Sequence, residues 1–554
     1  MAAMQSYEYI IVGAGSAGCT LANRLTADGH TSVMLLEAGG WDHDPWIKIP
    51  LGWGRILTRR LHDWMYFTEP EPRLANRRIE CARGRVIGGS SSINAMAYVR
   101  GHASDYARWA DAGCTGWSFA DVLPYFKRQE SWAGGADAYR GDSGPLSTQF
   151  SRFADPAVDA YFEAAEAAGY PRTADYNGAQ QEGFAVLQST IRDGRRCSAA
   201  DAYLRPALAR ANLDLATRTL VTRVRFEGRR AVGVECVRAG EVREIRAARE
   251  VLLCGGTINS PQLLMLSGIG DPDALGRHDI PVKVAVPGVG RNLQDHWSVC
   301  VDYVSRHPGP LQRHMRLDRL AGTLASCYFA GTGFATDLPS GQTAFLKSDP
   351  SRKVPDLQLL FRCGSMAAAP WLPPFKAPFV DGFAQRVVLL RPESRGSVTL
   401  ASADAAQAPL IRQNALAGEA EWRTLRRGVR MMVELGQSRQ LAPLIEKQIQ
   451  PASANPSDAE IDAMIASTAI TVHHPLGTAK MGPATDPDAV VDTELRVRGV
   501  DGLRVIDASV MPDLVGGNIN AVVIMIAERA ADLLAGVAPL QASAPTLDNS
   551  RRLA

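Results

Sequence analysis

The feature that most constrains this chain is a glycine-rich turn set between two short apolar runs. Tyr9-Ile10-Ile11-Val12 leads into Gly13-Ala14-Gly15-Ser16-Ala17-Gly18, and the next run, Ser32-Val33-Met34-Leu35-Leu36, closes on Glu37. Runs of this length bounded by turn residues read as buried strands. Cys19, Leu21, Ala22 and Leu25 between them mark a helix that Asp28-Gly29 ends. Strand, tight turn, helix and strand make a right-handed βαβ unit, whose ligands lie at the carboxyl ends of the strands. There Gly13 permits the turn, Gly15 lets backbone approach a pyrophosphate, and Gly18 lets the helix pack closely on the strand. Ser16 stands at a helix N-terminus, where free N–H groups and partial positive charge favour phosphate. Glu37, with Ala38 beside it, suits the hydroxyls of an adenosine ribose and repels a 2′-phosphate, which disfavours NADP. The turn alone does not separate FAD from NAD.

The 554 residues exceed what one compact core usually supports, so two structural regions are expected. Sixty basic residues against 58 acidic ones leave a net charge of +2, which gives no electrostatic case for nucleic acid or an anionic membrane. Nine scattered cysteines, without a Cys-x-x-Cys pair, read as reduced, mostly buried thiols. The first residues lack the charged start and apolar core of a signal peptide, and no apolar stretch reaches membrane-spanning length. A cytoplasmic protein is the expectation.

Further along, Arg83–Asn94 is too rich in glycine and serine for a helix or strand interior and reads as a loop of close backbone approach. Strand-like runs return at Leu220–Phe226, Ala231–Cys236 and Glu250–Cys254, followed by a helix with Pro261 expected in its first turn. From about 300 to 460, alternating segments at Asp356–Arg362, Arg386–Arg391 and Ser397–Leu400 suggest an antiparallel sheet, followed by a helix over Glu419–Gln437. Parallel-sheet character resumes at Leu503–Asp507, with a final helix over Val522–Leu534. The fold class is therefore α/β (α+β overall), a Rossmann-like domain assembled from separated pieces with an inserted antiparallel substrate domain backed by helices. The expected division is 1–155, 201–305 and 466–537 for the cofactor domain, 156–200 and 306–465 on the substrate side, and a flexible tail at 538–554.

Four segments beyond the turn make the chain resemble the glucose–methanol–choline (GMC) oxidoreductase family, from roughly residue 7 to 537. They are Arg83–Asn94, Gly255–Gly270, Pro287–His296, and the stretch from His474-Pro475-Leu476-Gly477-Thr478 through Met481-Gly482 to Asn520. The variety most resembled is the bacterial choline-dehydrogenase-like one, through Asn94-Ala95-Met96 and Tyr98–His102. The resemblance implies FAD, and Ile93, where covalently flavinylated members carry histidine, implies that it is held noncovalently. His102, in a different register, reads as structural. By the same resemblance, Arg83, Gly88, Gly89, Ser91, Asn94, Met96 and Ala97 would border the flavin and Val221 would face the adenine. Asp507-Ala508 would meet the ribityl and pyrophosphate region, and Ile519-Asn520 the isoalloxazine. A buried strand valine explains Val221 nearly as well, and a helix cap is the alternative for Asp507.

Oxidising an alcohol by hydride transfer requires a base for the hydroxyl proton, and imidazole is largely neutral at pH 7. The resemblance puts that base at His474 and its polar partner at Asn520, which would hydrogen-bond the substrate oxygen. His473 and His296 read as satisfied structural rings, since neighbours in an extended segment point to opposite sides. No metal is expected, because adjacent histidines diverge and no Cys or acid completes a tetrahedral set. An apolar residue at Leu360, where choline-oxidising members carry a nearby histidine, argues against choline. The expected substrate is an uncharged primary alcohol, aromatic or otherwise bulky, with Trp53, Trp64, Trp371 and Phe375 as candidate walls. Electrons would pass to a quinone or carrier rather than to oxygen, with a peroxide-forming oxidase as the alternative and a flavin-containing hydroxynitrile lyase as the second. A nicotinamide-dependent reductase is disfavoured by the two flavin-type blocks, and a serine hydrolase by the lack of G-x-S-x-G.

Overall fold

The computed structural model describes residues 6–543, and two seven-stranded sheets organise it. The first runs in the order Thr219–Glu227, Arg230–Arg238, Glu241–Leu253, Ser6–Val12, Val33–Leu36, Leu213–Ala216, with Leu503–Val505 also paired to Glu241–Leu253. All four residues of Val33–Leu36 are buried, as befits a parallel strand covered on both faces. The parallel pairs end in register. Val12 lies beside both Leu36 and Leu253, Leu36 beside Ala216, and Leu253 beside Val505. That common edge brings Gly13, Glu37 and Asp507 to one rim, where an open α/β sheet binds its ligands.

The helices Ser16–Leu25 and Asn520–Ala535 share the core of this sheet. A Cβ at Gly18 would stand 1.9 Å from the Gly13 carbonyl oxygen, so the first helix can lie this close only with glycine there. The Arg83–Asn94 segment packs backbone to backbone on the glycine turn. Gly88 N donates to the Ala14 carbonyl at 2.7 Å, and Gly89, at φ +53°, would push a Cβ to 2.7 Å from Gly15 Cα.

Pro261 falls differently from expectation, because its helix begins earlier, at Gly256, and the proline is interior. Proline has no N–H to give the Thr257 carbonyl four residues back. Thr478 Oγ1 donates to that carbonyl at 2.6 Å instead, while Thr257 Oγ1 donates to the Pro475 carbonyl at 2.7 Å. The missing helical bond thus becomes a joint to the segment carrying His474.

The second sheet is antiparallel throughout: Ile445–Gln450, Trp297–Ser305, Gly382–Leu389, Leu357–Cys363, Gln342–Leu346, Gly183–Val186, with Ile470–Thr471 beside the start of Trp297–Ser305. The helix Glu419–Gly436 covers one face, burying Leu425, Val429 and Met432 against Val299, Leu359 and Val387. Two assignments shift. Trp297–Ser305, expected within the cofactor piece 201–305, pairs in this sheet, since an alternating strand reads alike for either partner. Ser397–Thr399 pairs apart, with Leu410–Arg412.

Residues 538–543 of the expected flexible tail run along the helix Phe119–Gln129. Leu540 N donates to Tyr125 Oη at 3.1 Å and Ser543 N to the Ala120 carbonyl at 2.9 Å. The remainder of the tail and residues 1–5 lie outside the described residues. Among the described residues no helix is long and apolar enough to cross a membrane.

Candidate active site

One cavity of about 790 Å³ runs from the glycine turn to His474, between the two sheets. At the turn end, Gly13, Gly15, Ser16, Glu37 and Ala38 border it, with Gly89 and Val221 nearby. Glu37 accepts backbone N–H groups from Ala14 (2.9 Å) and Gly39 (2.7 Å), and burial pushes its carboxyl up to about 7. Asp507 borders the cavity too, but four donors already occupy its oxygens: Gly256 N, Ser260 Oγ, and both N and Oγ of Ser509. It caps the turn Ala508–Val510 and ties the strand end to the helix Gly256–Leu266.

Asn94, Met96, Ala97, Ala508 and Ile519 also border the cavity, as does Ile93. Gly18, Gly88 and Ser91 do not: Gly18 and Gly88 serve packing of the turn, and Ser91 Oγ donates to the Gly88 carbonyl at 2.6 Å. Arg83 reaches the far end, where its guanidinium donates to the His473 carbonyl at 2.6 Å and so holds the histidine pair in place. His102 caps the helix Ala103–Asp111.

The histidine site departs from the sequence expectation. Asn520 occupies the first position of its helix and accepts a hydrogen bond from Ser16 Oγ at 2.6 Å. Asn518, in the loop just before the helix, puts Nδ2 3.0 Å from His474 Nε2. Two asparagines flank Ile519, and which one meets the imidazole depends on where the helix starts. His473 has φ +63°, so the pair is not extended and both rings border the cavity. The Nδ1 of His473 is buried without a hydrogen-bond partner, so this ring is not the satisfied one expected.

Three residues define the state of His474. Asp295 accepts the backbone N–H of both His296 and His474 at 2.8 Å. Gln358 Nε2 donates to Asn518 Oδ1 at 3.2 Å, turning the Asn518 amide N–H toward His474. His296, fully buried, faces His474 Nδ1 to Nδ1 at 3.0 Å with the rings at 88°. The Asn518 amide donates to His474 Nε2, so the neutral His474 carries its proton on Nδ1, the nitrogen facing His296. The His296 Nδ1 then accepts from His474 Nδ1, leaving the Nε2 lone pair of His474 toward Asn518 and the cavity. Burial, then His296, Arg83 and His473, hold His474 well below the ordinary imidazole range, and burial takes His296 and His473 down to about 3. His474 is a neutral imidazole with a defined tautomer. Sequence reasoning missed Asn518, Gln358 and the link to His296; only the second asparagine of Asn518-Ile519-Asn520 hinted at the first.

Among the candidate aromatic walls, Trp53 and Trp64 border the cavity, whereas Trp371 donates Nε1 to the Gln312 carbonyl and Phe375 is exposed. Among the described residues no cluster of three His, Cys, Asp or Glu side chains could hold a metal ion.

A glycine turn with its acid, joined by one cavity to a buried neutral imidazole, is the arrangement of a nucleotide-dependent oxidoreductase. Family models described as GMC oxidoreductase match residues 7–298 and 392–527. The chain is 42% identical over 541 residues to the oxygen-dependent choline dehydrogenase of Brucella anthropi, covering 97% of each. It is 44% identical over 539 residues to the mitochondrial choline dehydrogenase of Homo sapiens, covering 96% of this chain and 90% of the relative. A solved structure of pyridoxine 4-oxidase from Mesorbium loti superposes with a TM-score of 0.85 at 34% identity, covering 96% of this chain and all of that one. The chain belongs to the GMC oxidoreductase family and is an FAD-dependent enzyme acting on the CH–OH group of an alcohol. The cavity fits FAD: bare backbone at Gly15 and Gly89 faces it, and the Glu37 oxygens retain lone pairs beyond their two N–H partners.

Proposed function

We propose that this enzyme oxidises a primary alcohol other than choline to the aldehyde, with His474 as the base, and passes the electrons to an acceptor other than oxygen. The observation that carries the reading is the neutral His474, its Nε2 3.0 Å from Asn518 Nδ2 at the end of the cofactor cavity. A substrate hydroxyl that takes the place of this bond donates to Nε2 and accepts from the Asn518 amide, which stabilises the negative charge growing on oxygen as the proton leaves. Bound FAD supplies the hydride acceptor. Gly15, Ser16 and Gly89 would hold its pyrophosphate and Glu37 its ribose hydroxyls, while Asn94, Met96, Ala97 and Ile519 would lie along the ring. Ile93 offers no nucleophile, which supports noncovalent attachment.

Both choline dehydrogenases above are named for choline, which carries a quaternary ammonium. Such a cation needs an unpaired carboxylate or an aromatic cage. Trp53 and Trp64 border the cavity, but the substrate-sheet wall near His474 offers Leu360, Cys300 and Arg386, and the Arg386 charge repels a quaternary ammonium. The expectation of an uncharged substrate rested on Leu360 alone, and its strand partner Arg386 makes this wall cationic. The test is the flavin spectrum of the purified protein, mixed anaerobically with a panel of alcohols and then opened to air. Bleaching by primary alcohols more than by choline, with slow return of colour in air, is the expected result. Preferential bleaching by choline would overturn the substrate assignment, and fast return with peroxide the acceptor.

A further inference from the structure

The wall of the cavity opposite the cofactor cradle is one face of the antiparallel sheet, and its side chains follow a simple order. Gln358, Val388 and Ser298 lie on the rung that reaches Asn518 and, through it, His474. The next same-face rung holds Leu360, Arg386 and Cys300, directly paired across three strands. Two residues along a strand advance roughly 7 Å, which sets the spacing between the rungs. The Arg386 guanidinium reaches back to Ser298, which lies two strands from Gln358 on the first rung, so its charge stands roughly 10 Å across the sheet from the Gln358–Asn518 contact, the span of several carbons.

Its charge is unmatched. Arg362, one rung further, pairs with Asp302 at 2.8 Å; Arg60 pairs with Asp63 at 2.9 Å; and Arg83 is engaged by the His473 carbonyl. Arg386 makes one bond, from Nη1 to the Ser298 hydroxyl at 2.9 Å, and among the described residues no carboxylate lies within 4.0 Å of it. Guanidinium carries five donors, so four remain beside a half-buried, largely apolar cavity wall. Removing a cation from bulk water without a counter-charge is costly, and a planar fork of donors matches a carboxylate.

We propose that Arg386 is the anion-binding subsite of this enzyme, and that its substrates are primary alcohols bearing a carboxylate several bonds from the hydroxyl. This inference rests on alcohol oxidation at His474 and names the substrate class for it. The hydroxyl displaces the Asn518–His474 bond and meets both groups, and the carboxylate takes the free donors of Arg386. The same charge repels a quaternary ammonium.

The experiment compares 4-(hydroxymethyl)benzoate with its neutral counterpart 4-methylbenzyl alcohol, and 6-hydroxyhexanoate with 1-hexanol, as reductants of the holoenzyme flavin. Arg386→Met and Arg386→Lys are run beside the parent, with FAD content checked first. The carboxylates should be preferred, and Arg386→Met should cut their second-order rate of flavin reduction by roughly 10- to 100-fold, the range of a charge-assisted bond. The neutral alcohols should lose far less, so that the carboxylate-to-neutral rate ratio falls, and Arg386→Lys should recover part of the loss. As a readout independent of turnover, 4-methylbenzoate should perturb the flavin spectrum of the parent but not of Arg386→Met. Equal rates for each pair in the parent, an Arg386→Met ratio unchanged from it, or choline outpacing the carboxylates would each overturn the proposal. If no alcohol reduces the flavin while 4-methylbenzoate still binds through Arg386, the anion site stands and alcohol oxidation at His474 falls.

Discussion

Replacing Asn518 by alanine tests the geometry of the site most directly. The amide N–H of Asn518 points at His474 Nε2, where a hydroxyl proton would be received, and Gln358 holds it in that orientation. In the ground state this is a neutral hydrogen bond, worth about 1 kcal/mol. As the proton moves to His474, the substrate oxygen gains charge and the same donor makes a charge-assisted bond of about 1.5–3 kcal/mol. Only the difference, about 0.5–2 kcal/mol, is lost from the chemical step, and with a tenfold rate change for every ~1.4 kcal/mol Asn518→Ala should slow flavin reduction about 2- to 30-fold. FAD should stay bound, because the Asn518 amide is engaged by Gln358 and His474 and makes no hydrogen bond to the glycine turn. Asn520→Ala is the matched control: it removes the Ser16 bond but no donor to the substrate oxygen. Anaerobic stopped-flow reduction of both variants by one alcohol decides between them. If Asn518→Ala stays within twofold of the parent while Asn520→Ala falls by more than tenfold, the loop asparagine is not the partner of the base and the reasoning fails.

Other outcomes follow from neighbouring groups. His474 is held below the usual imidazole range, so it remains an unprotonated base at pH 6.5. The acid limb of kcat/KM should therefore lie below pH 6.5; a limb centred at or above that value contradicts the burial argument. The same lowered value means that the unfolded chain takes up this proton first as pH falls. The site's contribution to stability should thus decline below about pH 6.5 rather than above it. His296→Leu leaves the buried His474 Nδ1–H without an acceptor, which should cost about 1–3 kcal/mol of stability and slow flavin reduction with FAD retained. His296→Gln, which keeps an acceptor, should recover part of both, and equal behaviour of the two variants would show that the ring only fills space. Thr478→Val should lower stability to urea by about 1–3 kcal/mol, since the Thr257 carbonyl then lacks a donor. Adding Pro261→Ala restores a helical N–H to that carbonyl and should return part of the loss; a strictly additive double variant would refute the joint.

The cofactor half was legible because its chemistry is local. Gly13, Gly15, Gly18 and Glu37 act through backbone turns and a strand end within one βαβ unit, and the register of the parallel strands then places Asp507 from far along the chain on the same rim. The substrate half was less legible, because residues meet there across strands and loops whose pairing periodicity cannot specify. Trp297–Ser305 reads as a strand for either sheet, and Asn518 and Asn520 are interchangeable until the helix start is known.

By itself the sequence determined a dinucleotide-binding turn, a second antiparallel region and a histidine-bearing segment near the end, each set by short-range periodicity and turn chemistry. Only the tertiary structure decided that Asn518 rather than Asn520 meets His474, that His296 faces its other ring nitrogen, and that Arg386 faces the cavity without a counter-charge. Those facts depend on contacts between residues from 44 to 178 positions apart in the chain. Burial then converts such contacts into protonation states, which no single residue type specifies alone.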